Sequence, residues 1–418
     1  MEQTVFCVDI GTSSIKTALI TASGDVLSAA RFRFPRTTRR TSHWLDAYRL
    51  ALRALKPEES AAAVVISGNG PTLVSVDGRN RATALLLWND TDTSTNPGNY
   101  AGPSLFIPRI LEFSRRFPRE YREAHHLLSG PEYLMFSLTG NPVTVLPEER
   151  YRPAYWTSDD FTATGLSPAK MPPFVPAGSI VGETTLGKRK HIPVIAGGPD
   201  FFVALAGTGA FEPGRACDRA GTSEGLNVCT KDPVHHSRIR TLPSLLPEYW
   251  NAAWLLPESG ATFHDYRKSS GESGKPYPKL MREILESPSA GPGKENVHPG
   301  RTVVERIGFA VREGIETLEE ATGYNPVFYL SGGQARNEVW NQMKADITGR
   351  TFVLTATADG ELMGNAVLAS PALGWHTSIT NASQAMVREC RRFEPDPENF
   401  RHYSDKYDYW KTTRDENV

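Results

Sequence analysis

The sequence predicts an α/β chain of two lobes, each organised around a mixed sheet. Three observations predict it. At 418 residues the chain exceeds what one hydrophobic core ordinarily holds together, so two domains are expected. Short apolar runs near the N-terminus give way to alternating helix and strand patterns, the order of a meander opening an α/β sheet. Gly11-Thr12-Ser13 and Gly221-Thr222-Ser223, one in each half, both join two strand patterns, as two copies of one ancestral unit would. Chance is the alternative, since Gly-Thr-Ser is a common turn composition; the shared strand–turn–strand setting favours duplication.

In chain order, Val5 to Asp9 is a short apolar run that stops at Gly11-Thr12-Ser13-Ser14 and resumes at Ile15 to Ile20. A second turn, Ser23-Gly24-Asp25, leads into Val26 to Phe34, which completes an antiparallel meander. His43 to Leu55 switches to helical spacing through Trp44, Tyr48 and Leu52. Ala62 to Ser67 and Ala84 to Trp88 are short enough to be buried strands. The second half begins near His191. Pro193 to Gly197 reads as a strand ending in Gly197-Gly198-Pro199-Asp200, and Phe201 to Leu205 starts a helix. Arg215 to Ala220 and Leu226 to Cys229 are strands flanking the second Gly-Thr-Ser turn. Val303, Ile307, Val311 and Ile315 recur every four residues and predict an amphipathic helix. Val327 to Leu330 is the next strand, and Glu338 to Ile347 the next helix. Pro142 to Gly178 and Ser269 to Gly300, rich in Pro, Gly and Ser, read as long irregular connections.

Composition excludes several classes. Hydrophobic residues make up 39% and charged residues 22%, a globular balance. The formal net charge of −1 provides no field for nucleic acid or an acidic membrane surface. The 4 cysteines, Cys7, Cys217, Cys229 and Cys390, form no CxxC pair and suit a reducing cytoplasm. Neither a leader-like N-terminal segment nor an apolar run of membrane-spanning length is present, so a cytoplasmic protein is expected. His125-His126 and His235-His236 lack a third ligand at zinc spacing. Arg36, Arg39 and Arg40 read as an exposed turn.

The chemistry-bearing segments begin with Asp9-Ile10-Gly11-Thr12-Ser13-Ser14. A hairpin tip of Gly and hydroxyl residues offers backbone N–H and O–H donors to a phosphate with little bulk. The carboxylate at the end of the preceding strand can hold Mg²⁺, and Lys16 adds a cation. No G-x-x-x-x-G-K-[ST] and no G-x-G-x-x-G occurs, which argues against a P-loop kinase and a Rossmann dehydrogenase. Asp200 reads equally well as a helix cap or as a general base for an attacking hydroxyl.

Together these segments resemble the FGGY carbohydrate kinase family, in its xylulokinase-like branch. Four stretches carry the match: Val8 to Ile20 with DIGTSSIKTALI, Ile66 to Asp90 with ISGNGPTLVSVDG and LLLWND, Ala196 to Asn227 with AGGPDFFVALAGTGAFEPGRACDRAGTSEGLN, and Leu330 to Ala369 with LSGGQARNEVWNQMKADITG and GELMGNAVLA. The resemblance implies two ribonuclease H-like lobes of the actin-like ATPase superfamily with an interlobe cleft. Residues 1–192 would form the N-terminal lobe and 193–418 the C-terminal lobe, with the tail packing back on the first. It implies ATP and Mg²⁺ as cofactors and a small sugar or polyol, such as the ketopentose xylulose, as substrate. It expects no nucleic-acid or membrane partner and allows a homodimer. By this match Asp9 holds Mg²⁺, Gly11, Thr12 and Ser13 contact the terminal phosphates, and Asp200 is the catalytic base. Gly221, Thr222 and Ser223 form the second phosphate loop; Gly332, Gly333 and Asn337 lie at the adenosine. Asn69, Trp88, Asn89 and Asp90 contact the sugar, the indole against its C–H face and the amides and carboxylate at its hydroxyls.

The sequence also departs from the family pattern. Ser269 to Gly300 and Pro147 to Tyr151 replace family segments, and Glu224 puts a carboxylate beside the second loop, where like charge opposes a polyphosphate unless it points away or meets Mg²⁺. These features favour, as the alternative, a catalytically silent nucleotide- or sugar-binding regulator of the same fold. A ribonuclease H-like nuclease using Asp9 and Asp200 ranks behind both.

Overall fold

The computed structural model describes residues 2–35, 40–90, 100–288 and 297–415. Its chain forms two compact units, Met1–Gly207 with Glu361–Val387, and Thr208–Gly360 with Arg388–Val418.

In the first unit the strand Thr4–Ile10 is buried at every position and sits inside a six-stranded sheet, as a continuous apolar run requires. Ser14–Thr21 and Val26–Arg33 follow it antiparallel as the expected meander. On its other side Ala61–Gly68 and Arg189–Pro199 run parallel to it, and Ile180–Leu186 closes that edge antiparallel. The helix Ser42–Leu55 buries Trp44 and Tyr48 in the same core as Phe6 and Ile66. Ala84 to Trp88 is not a buried strand. Ala82–Leu86 is the partly exposed edge of a separate three-stranded sheet, and Trp88 lies in the turn beyond it.

The second unit carries a seven-stranded sheet in the order Arg240–Pro243, Trp250–Leu256, Glu224–Thr230, Arg215–Ala220, Val327–Ser331, Phe352–Thr355, Glu389–Phe393. Arg215–Ala220 pairs antiparallel with Glu224–Thr230 and parallel with Val327–Ser331, which pairs parallel with Phe352–Thr355. Outward from the loop strand, both sheets therefore show the same sequence of directions: antiparallel hairpin on one side, two parallel strands and an antiparallel edge on the other. A shared topology with a shared turn supports duplication beyond what Gly-Thr-Ser alone can carry. The helix Gly300–Thr322 buries Ile307, Val311 and Ile315 of the predicted stripe, with Val304 buried where Val303 stays half-exposed, and Glu338–Thr348 buries Trp340, Met343 and Ile347 as its spacing predicts.

Four differences from expectation have physical causes. Position 192/193 falls inside the strand Arg189–Pro199, whose ladder to Ala61–Gly68 keeps it, and Asp200 after it, in the first unit. The tail joins the second unit: the helix Pro397–Asp415 packs Tyr403 and Tyr407 on the Gly300–Thr322 helix, where Arg301 donates to Tyr403 Oη at 2.6 Å and Tyr407 donates to Glu316 at 2.8 Å. Within Ser269 to Gly300 the helix Tyr277–Glu286 buries Leu280, Met281 and Ile284; residues 289–296 lie outside the described ones. Within Pro142 to Gly178 the strands Thr144–Leu146 and Phe174–Pro176 pair, and the Trp156 and Phe174 rings stack at 5.0 Å.

Candidate active site

Strand register brings the first group of residues together. Ile10, Gly68 and Pro199 are neighbours across three adjacent parallel strands. Gly11, Asn69 and Asp200 follow them directly, so the first Gly-Thr-Ser turn, the amide and the carboxylate emerge at the carboxyl end of one sheet. That end is where open α/β sheets bind ligands. Gly198, with φ +116°, lies at the register shift of the ladder to Ala61–Gly68, just before the strand ends at Pro199 and the helix Asp200–Thr208 begins. Asp200 is half-buried as its first residue.

One strand-step below, Asp9 is buried and accepts from Ser67 Oγ at 3.3 Å. Lys16 Nζ lies 3.7 Å from Asp9 Oδ2 and donates to Glu361 Oε2 at 3.4 Å. Asn365, one helical turn after Glu361, donates to Val8 O at 3.1 Å and to Ser67 Oγ at 2.9 Å. Ser67, Glu361 and Asn365 were not anticipated. Glu361 and Asn365 belong to the Gly-Glu…Gly-Asn segment, 345 residues from Lys16 in the case of Glu361, and only the fold brings them close. Their signal in the sequence was polar residues interrupting an apolar helix.

The first loop is short and externally held. Gly11 N donates to Ser14 O at 2.9 Å, and Phe34 N to Ser13 O at 2.9 Å. The Asn69 amide is oriented by its neighbours: its oxygen accepts from Thr12 N and Thr12 Oγ1, each at 3.1 Å, and from Trp88 Nε1 at 3.2 Å. Trp88 Nε1 also reaches Thr12 Oγ1 at 3.0 Å. Trp88 keeps 38% of its surface exposed, which leaves ring face for a ligand. Asn89 is exposed beside it. Asp90 is partly engaged in its own turn, where Oδ2 accepts from Leu87 N at 3.1 Å.

In the second unit Arg219 and Ser331 are register partners, so Gly221-Thr222-Ser223 and Gly332-Gly333-Gln334 emerge together at the equivalent sheet end. Gly332 has φ +92°, and a Cβ there would lie 2.4 Å from Ala220 O; only glycine permits this approach. Gln334 Nε2 donates to Gly221 O at 2.9 Å and Ala261 N to Thr222 O at 3.0 Å. Beside the loop is a cavity of about 430 Å³, lined among others by Thr222, Phe263, Arg267, Tyr277, Gln334 and Trp340. Trp340 Nε1, Arg267 Nε and the hydroxyl of Ser259, all on residues lining it, are buried without a hydrogen-bond partner. Asn337 caps the Glu338–Thr348 helix, accepting from Trp340 N at 3.2 Å, while its Nδ2 is buried without a partner.

Glu224 points inward. Its side chain is 0% exposed and accepts from Lys344 Nζ at 3.2 Å; Lys344, 1% exposed, also pairs with fully buried Asp218. Lys344 therefore meets the carboxylate that threatened the second loop, and the residue no longer favours a silent binder. Two carboxylates and one ammonium in a dry interior would carry net negative charge, so Asp218 keeps its proton. Burial, reinforced by the Glu224 charge and opposed by Lys344, pushes Asp218 up to about 8. The unfolded chain loses that proton near the usual carboxylate pKa, about 4, and the folded one keeps it to about 8. The folded state thus binds more protons in between, and stability falls as pH rises across this window. Glu224→Gln removes the surplus charge, so its unfolding free energy, measured by urea titration at pH 5 and pH 8, should change less between the two than that of the native chain. An equal change in both would remove the triad as the cause.

Comparison with known proteins gives three kinds of match. The model of the FGGY family of carbohydrate kinases, C-terminal domain, matches residues 222–373. Over its whole length the chain is similar to the xylulose kinase of Bacillus subtilis (strain 168), 24% identical across 97% of this chain and 96% of that one. Among solved structures, a xylulose kinase from Lactobacillus acidophilus superposes with a TM-score of 0.82 at 15% identity, covering 99% of this chain and 98% of that one. A gluconate kinase from the same organism gives 0.83 at 15% identity, with the same coverage of 99% and 98%. The structural likenesses show the fold shared with these kinases, and they do not separate the acceptors.

Proposed function

We propose, for a chain that belongs to the FGGY family of carbohydrate kinases, that it transfers the terminal phosphoryl group of ATP to a hydroxyl of a ketopentose such as xylulose. It is a phosphotransferase with an alcohol acceptor. The observation that carries the site assignment is the register that sets the Gly11–Ser13 loop, Asn69 and Asp200 at the carboxyl ends of three adjacent strands.

In this reading Asp200 takes the proton of the attacking hydroxyl, and the loop Gly11, Thr12 and Ser13, held in shape by its bonds to Ser14 O and Asn69, contacts the terminal phosphate. Gly221, Thr222 and Ser223 hold the inner phosphates. The neighbouring cavity takes the nucleoside; Gly332 and Gly333 precede its lining residue Gln334, and Asn337 caps the helix that carries its lining residue Trp340. Trp88 and Asn89 receive the sugar; Asn69 serves the loop and the indole, and Asp90 chiefly its turn. Mg²⁺ bound with a nucleotide needs only one or two protein carboxylates, and Asp9, ordered by Ser67, fits that role. When bound it would neutralise phosphate charge.

The xylulose assignment leans on the names of relatives about a quarter identical, so the acceptor is what an experiment must decide. ADP release should be followed over a panel of ketopentoses, aldoses, polyols and aldonates. The highest kcat/KM is expected with a ketopentose, and no turnover with any member would end the reading. A cytoplasmic location is part of the proposal, supported by four free cysteines. Among the described residues no helix is long and apolar enough to cross a membrane.

A further inference from the structure

We propose that Asn69 and Gln334 are positioning residues, one for each Gly-Thr-Ser loop, which hold the loops in shape through their side-chain amides. This rests on the reading of the loops as phosphate-contacting.

Each loop has three residues between its strands and a single backbone bond across its base, Gly11 N to Ser14 O and Gly221 N to Ser223 O. A glycine-led turn so sparsely bonded gains little order from its own backbone. Further partners come from elsewhere, and besides Trp88 Nε1 at Thr12 Oγ1 the side-chain ones come from equivalent places. Asn69 directly follows Ala61–Gly68, and Gln334 closely follows Val327–Ser331. These two strands hold the same position in the two sheets, each the parallel neighbour of the strand that enters the loop. Asn69 is 6% exposed and engages Thr12 through both N and Oγ1. Gln334 fixes the Gly221 carbonyl at 2.9 Å.

The chemistry suits an amide. A carboxylate at either place would repel a polyphosphate, and an ammonium would compete for it as a ligand; an amide offers donor and acceptor without charge. The two bonds run in opposite senses. The first loop donates to Asn69, whereas the second accepts from Gln334. Through Trp88 Nε1, Asn69 also joins the first loop to the indole proposed for the sugar.

Opposite senses give a test that general destabilisation would not mimic. Hydrogen exchange of the full chain without nucleotide should be compared for peptides spanning residues 9–16 and 219–226. Asn69→Ala should speed exchange in the first peptide alone and Gln334→Ala in the second alone, each roughly five- to tenfold, as expected for one or two lost hydrogen bonds. Asn69→Asp keeps the acceptor and should exchange near the native rate, whereas Gln334→Glu loses the donor and should behave like Gln334→Ala. In calorimetry Gln334→Ala should weaken Mg·ATP binding several-fold. Native exchange in both alanine variants, or acceleration across all peptides, overturns the proposal. Local acceleration with unchanged ATP affinity upholds the latches and instead sinks the phosphate reading of the loops.

Discussion

Asp200→Asn is expected to lower kcat by at least ~100-fold while leaving ATP affinity within a few fold. A sugar hydroxyl is a poor nucleophile at neutral pH, and a carboxylate in reach takes its proton as the phosphoryl group transfers. Such help is worth about 10²–10⁴-fold, or ~3–5 kcal/mol of barrier. Asparagine keeps the shape and caps a helix nearly as well as aspartate, so the melting temperature should hold. The measurement separates the two roles of a residue that begins the helix Asp200–Thr208. Near-native kcat with native stability would leave Asp200 a cap only.

Lys344→Met is expected to cost about 3–5 kcal/mol, enough to consume much of the stability of an ordinary domain. Lys344 is the ammonium between Asp218 and Glu224, and both acids are 0% exposed. Removing it leaves the buried Glu224 charge facing Asp218 in a dry interior without its cation. Replacing the whole triad by apolar residues, Asp218→Leu and Glu224→Leu with Lys344→Met, should cost less than the single change, because no buried charge remains. Guanidinium unfolding of the second unit's signal checks the order. A triple variant less stable than Lys344→Met would mean that shape, not charge, governs this core.

Lys344 also marks where sequence reading stops. The strands Thr4–Ile10 and Arg215–Ala220 and the helix Gly300–Thr322 were legible because apolar periodicity reports local geometry. A lysine in a helical pattern is assigned to the solvent side by the same logic, and the acids that bury Lys344 lie 120 and 126 residues away. Glu361 escaped notice for the same reason, since its partner Lys16 is remote in the chain. The helix Tyr277–Glu286 did carry a signal, Tyr277, Leu280, Met281 and Ile284 at helical spacing, which the surrounding Pro, Gly and Ser masked. Asn69 and Gln334 were visible as residues after strands, but which loop atom each one holds depends on register, and register is a property of the sheet.

Phosphorus NMR of the native chain with Mg·ATP and xylulose tests the central claim most directly. The account predicts loss of the γ-phosphate signal, growth of the ADP signals, and one new phosphomonoester resonance equal to the ADP formed. Unchanged ATP, or ADP accompanied only by inorganic phosphate, would contradict it.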